Sequence, residues 1–80
     1  MKDADIQGHI EELVAEEHRL LDLAAQRPLE DAERVRLNEV NVALDRYYDL
    51  LRQRRAREEF GQDPAGAHIR SGDTVEKYLQ

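Results

Sequence analysis

Eighty residues with net charge −6, no cysteine, no tryptophan, two prolines and four glycines leave room for one small domain and exclude a disulfide scaffold or a thiolate metal site. Leu, Ile, Val and Phe supply 19 of the 80 residues, just above the roughly one fifth below which a highly charged chain fails to build a core. No apolar run approaches the roughly 18 residues of a membrane span. Met1-Lys2-Asp3-Ala4-Asp5 leads into no apolar signal stretch, so a cytoplasmic setting is expected.

The first predicted element is a helix over about residues 5–25. Ile6, Ile10, Leu13, Glu17, Leu20 and Ala24 recur at alternating steps of four and three, with Val14 and Leu21 widening the stripe. That is the period of an amphipathic helix. Asp3 or Asp5 can cap its start, where carboxylates suit the positive end of the helix dipole. Gly8 weakens it, by close packing or, more simply, by fraying. Pro28 ends this helix or opens the next near Glu30, because proline is tolerated only in a first turn.

A longer helix follows, over about residues 29–60. Leu37, Val40, Leu44, Tyr47 and Leu51 form its stripe, with Asn41 and Tyr48 alongside. Gly61 supplies a C-terminal stop and Pro64 reinforces it. Residues 1–62 are thus expected to be a helical hairpin. Residues 63–80 then form a Gly-, Pro- and Ala-rich linker and a short helix, Thr74 to Leu79. That helix carries Val75, Tyr78 and Leu79 and is too short to stand undocked.

Charge is unevenly distributed. Residues 1–33 hold three basic and ten acidic side chains, residues 34–57 hold seven arginines and three acids, and residues 58–80 hold two basic and five acidic side chains. A short turn at Arg27–Leu29 favours antiparallel neighbours. It sets Leu20 opposite Leu37, Leu13 opposite Leu44, Ile10 opposite Tyr47 and Ile6 opposite Leu51. It also places Asp3 near Arg54, so the acidic and basic blocks complement each other. Glu17 then faces Val40 and Asn41, either as a polar layer that fixes register or leaning out to solvent.

Two helices bury little, and small domains without extra burial are marginal. Val35, Val42 and Leu50 lie off the seam of the second helix, and Leu23 off that of the first. They would stay wet in a monomer. Dimerisation into a four-helix bundle is the simplest remedy, with Val35, Val42, Tyr48 and Leu50 as the candidate dimer interface.

Chemistry is weakly represented. His9 and His18 are more than two turns apart, too far to share a metal, and no Glu-x-x-His of the di-iron kind occurs. Glu11-Glu12 and Glu16-Glu17 resemble acid–base pairs, but a hairpin offers little cleft to perturb them. No phosphate loop, dinucleotide fingerprint or nucleophile elbow is present. No catalytic residue, cofactor, metal or small-molecule substrate is therefore expected. Arg52, Arg54, Arg55 and Arg57 are the candidate partner-binding cluster. Pairing with the acidic first helix explains part of it, and an acidic protein partner comes next. Nucleic acid is disfavoured by the acidic balance and the absence of interleaved aromatic residues.

The second helix carries a resemblance. Glu16-Glu17-His18-x-Leu20, the block Leu50-Leu51-Arg52-Gln53-Arg54-Arg55-Ala56-Arg57, Gly61-x-Asp63-Pro64 and Val75-Glu76-x-Tyr78-x-Gln80 together resemble a small actinobacterial family known only as a domain of unknown function. Tyr48 stands where that pattern often has Trp, and Gly72 where it often has Pro. The resemblance implies a stand-alone helical protein and no reaction.

The expected protein is therefore all-α: an antiparallel, coiled-coil-like two-helix hairpin with an extended linker and a short C-terminal helix. It pairs as a homodimer and acts by protein–protein association. The alternative is a small nucleic-acid-associated regulator using Arg52–Arg57.

Overall fold

The computed structural model describes residues 2–69; the expected helix over 74–79 lies outside them. Two long helices, α1 (Asp3–Gln26) and α2 (Asp31–Glu59), are followed by a single 3-10 turn, Pro64–Gly66. The described residues contain no strand. The shortest dimension is 15 Å, close to the roughly 10–12 Å diameter of one dressed helix, so the helices form a single layer.

Helix α1 starts two residues before the expected position. The Asp5 carboxylate accepts a hydrogen bond from the Lys2 backbone N–H at 3.3 Å, satisfying a donor at a helix end that has no intrahelical partner. A Cβ on Gly8 would meet nothing within 4 Å. Close packing therefore does not explain this glycine, which sits in open space inside α1.

The break falls at Arg27–Glu30. Arg27 is extended, with φ −160° and ψ 161°, as a residue before proline prefers. Its guanidinium closes the turn. Nη1 and Nη2 donate to the two Glu33 carboxylate oxygens, each at 2.8 Å, and Nη1 also reaches the Pro28 carbonyl at 3.0 Å. Glu33 in turn accepts from the Glu30 backbone N–H at 2.8 Å, closing the first turn of α2. The arginine and this backbone donor hold the Glu33 carboxyl down at about 2.

Gly61 ends α2 as expected, with φ +70°, a left-handed conformation that only glycine adopts at little cost. Its N–H donates to the Glu58 carbonyl at 3.1 Å, and the Gln62 N–H donates to the Arg57 carbonyl at 2.7 Å. These are the two bonds of a Schellman motif.

The segment read as a linker is instead fastened to α2. The Asp63 side chain accepts from the Ala65 N–H at 2.9 Å and starts the 3-10 turn at Pro64. Arg54 Nη1 donates to the Pro64 carbonyl at 3.3 Å. Further along, Gln53 Nε2 donates to the His68 carbonyl at 2.9 Å, and the His68 N–H donates back to Gln53 Oε1 at 3.4 Å. The chain therefore returns along the last turns of α2.

Ile6, Ile10, Val40, Leu44 and Leu50 form the buried cluster, with Leu13, Val14, Tyr47, Leu51 and Ala67 packed against it. Leu20 is buried separately, toward the turn. Leu50 overturns an expectation. Placed off the seam, it was to stay wet in a monomer; it is only 3% exposed. The returning segment accounts for this, because Ala67 packs on the cluster that contains Leu50. Glu17 is half-buried and Asn41 exposed, and no polar side chain is buried among the described residues. The seam holds no buried polar layer.

Candidate association surface

Contacts across the two helices run in opposite chain directions. Near the start of α1, Asp3 pairs with Arg54 Nε near the end of α2. Next, the His9 and Tyr47 rings stack, with centroids 5.3 Å apart and planes 13° from parallel. Farther along α1, the Glu16 carboxylate takes Arg36 Nε at 2.6 Å and Nη2 at 2.7 Å. Residues seven apart share a helix stripe, so His9 and Glu16 lie on one stripe of α1, and Tyr47 and Arg54 on one stripe of α2. This side of the seam is closed by polar pairs. Arg36 also pairs with Glu39 at 3.2 Å. The Arg36 hydrogen bonds pull the Glu16 carboxyl below its ordinary value, and Glu16 and Glu39 raise Arg36.

The other side of the seam is open. Gln7, Val14 and Leu21 recur every seven residues on α1, as Tyr48 and Arg55 do on α2. Gln7, Tyr48, Leu51, Arg52 and Arg55 line a groove of about 410 Å³ between the helices. Leu21 is 48% exposed and Tyr48 44%, while Val14 is half-buried.

The four arginines of the expected cluster separate. The Arg54 side chain is only 13% exposed, held by Asp3 and the Pro64 carbonyl. Arg57 is half-buried and donates to the Asp63 carbonyl at 3.5 Å. These two fasten the N-terminus and the returning segment to α2. Arg52 and Arg55 are exposed, line the open groove, and form no ion pair with any described residue.

The four candidate interface residues also separate. Leu50 is in the core. Val35, 59% exposed, and Val42 lie seven apart on the outer stripe of α2, where Val42 helps line a shallow groove with Asn38, Glu39, Ala43 and Arg46. Tyr48 lies on the open side with Arg52 and Arg55. The sequence reading missed Leu21 and Val14 as the α1 half of this surface. The available signal was their seven-residue spacing on the widened edge of the stripe. The Glu16–Arg36 pair was not legible either, because it lies beside the apolar stripe and helical period alone does not pair residues there.

Among the described residues, no group of three His, Asp or Glu side chains could hold a metal ion, and no helix is long and apolar enough to cross a membrane. His9 lines an open depression with Ala4, Asp5, Gly8 and Glu12.

Architecture and surface describe a small all-helical protein whose two long helices pack together and leave one side of their seam uncovered. The chain belongs to the family described as a protein of unknown function, DUF2630, whose model matches residues 2–80. The uncharacterised protein Rv0898c of Mycobacterium tuberculosis is similar, 42% identical over 77 residues that cover 95% of this chain and 88% of the relative. The uncharacterised protein Mb0922c of Mycobacterium bovis matches to the same extent. The resemblance to an actinobacterial family of unknown function is thus confirmed. No solved structure matches.

Proposed function

We propose that this protein is a non-catalytic association module: an antiparallel helical hairpin that pairs with a second copy through the open side of its seam, forming a four-helix bundle. The observation that carries this is the apolar surface left on the open side: Leu21 of α1 toward the turn and Tyr48 of α2 toward the other end, each about half exposed, with Val14 half-buried between their levels. A single helix layer buries one face of each stripe, and a second layer buries this one. Polar pairs close the opposite side, so the open side is the seam's apolar remainder. Tyr48 and Leu51 in the groove, with arginines at its edge, match the composition of an interface with an apolar core and a polar rim.

Sedimentation equilibrium tests this. The expected result is a dimer at low micromolar concentration, with twice the 9.3 kDa chain mass. Leu21→Glu should yield a folded monomer. A wild-type chain that sediments as a folded monomer at that concentration rejects the proposal.

A further inference from the structure

The open groove sets Tyr48 and Leu51 beside two arginines that form no ion pair with any described residue, and α1 offers the complementary charge. Glu11 lies three residues before Val14. Glu17 lies three residues after Val14 and four before Leu21, so the two acids flank the exposed apolar row along the helix surface. Glu11 is exposed, Glu17 half-buried, and neither forms an ion pair with a described residue. Glu16, between them, is already taken by Arg36. Among the described residues, the acids of α1 that form ion pairs with α2 are Asp3 and Glu16. Glu11 and Glu17 on α1 and Arg52 and Arg55 on α2 are thus left without an ion pair to any described residue.

We infer that Arg52 and Arg55 of one copy seat on Glu11 and Glu17 of a second copy, flanking the contact around Tyr48 and setting its register. The inference rests on the association proposed above and names its charged rim. A two-fold interface uses each contact twice, so two Arg pairs meet two Glu pairs and neither face meets its own charge. The arginine fork suits carboxylates. Rim charges of this kind select partner and alignment more than they add affinity.

The test is a charge swap read by analytical ultracentrifugation, with far-UV circular dichroism confirming helicity. Arg52→Glu/Arg55→Glu and Glu11→Arg/Glu17→Arg are each expected to weaken self-association at least about tenfold, because like charges then face across the interface. Mixed one to one, they are expected to recover a heterodimer as tight as wild type, since one set of pairs re-forms with reversed sign and the other as in the wild type. Wild-type association should also weaken as salt rises. If both variants dimerise as tightly as wild type, the seating is overturned while the association stands. If the variants dissociate and the mixture does not recover, the partners named are wrong. A monomeric wild type overturns association and seating together. If the arginine variant keeps its dimer but loses binding to a labelled DNA duplex, the pair serves nucleic acid and the seating falls.

Discussion

The two sides of the helix seam use the same ingredients differently. On the closed side, Asp3, His9 and Glu16 of α1 meet Arg54, Tyr47 and Arg36 of α2. Acid, aromatic and base are matched within the chain. On the open side, Tyr48, Arg52 and Arg55 border a groove with Gln7 of α1, and neither arginine forms an ion pair with a described residue. Charge asymmetry along a sequence thus has two outlets. One aligns two helices with each other, and the other leaves exposed charges that no described residue pairs. Net charge does not distinguish them; helix phase does.

The sharpest way to break the comparison is to remove what both sides share. Ile6 is fully buried in the cluster between the helices. Ile6→Ala should cost about 2–5 kcal/mol, the usual range for truncating a buried aliphatic. Chemical denaturation measures it, and a cost under about 1 kcal/mol would show that the core does not sit where the two sides meet. The next comparison is between Leu50 and Val35, both expected to lie at an interface. Leu50→Ala should also cost about 2–5 kcal/mol, because the returning segment shields it. Val35→Ala, on the outer stripe, should stay within about 0.5 kcal/mol and leave self-association unchanged. Equal effects would mean that the segment over Leu50 does not shield it.

These two residues also show how far the sequence could be read. Helical period placed both off the main seam, and that is correct geometry. What period cannot show is a third element crossing over one of them. The Gly, Pro and Ala content of residues 63–67 suggests a linker, yet one carboxylate, Asp63, starts a turn there, and Gln53 and Arg54 supply donors for the returning backbone. Gly61 as a stop and Asp3 beside Arg54 were legible because each depends on a single strong local rule: a left-handed glycine, and facing positions across a short turn. The Arg27–Glu33 clasp was not legible. It spans the break between two elements, and neither helix's pattern contains it. The four-arginine cluster was visible as composition, but its division into two holding and two facing residues is a matter of helix phase over six positions.

The smallest expected effect concerns acid. Glu33 is held at about 2 by Arg27 and the Glu30 backbone donor, against an ordinary 4.5. Glu16 is shifted the same way by Arg36. In both cases the folded-state value lies below the unfolded one, so the folded chain holds the charged form more strongly. The resulting stability is fully present above about pH 5 and is lost as pH falls toward the folded-state values. Both carboxylates are near solvent, so the loss is modest and salt-sensitive. Wild type and Glu33→Gln should therefore differ by a constant amount in denaturation midpoint above pH 5, and converge by about pH 2. Glu16→Gln should behave likewise on the closed side.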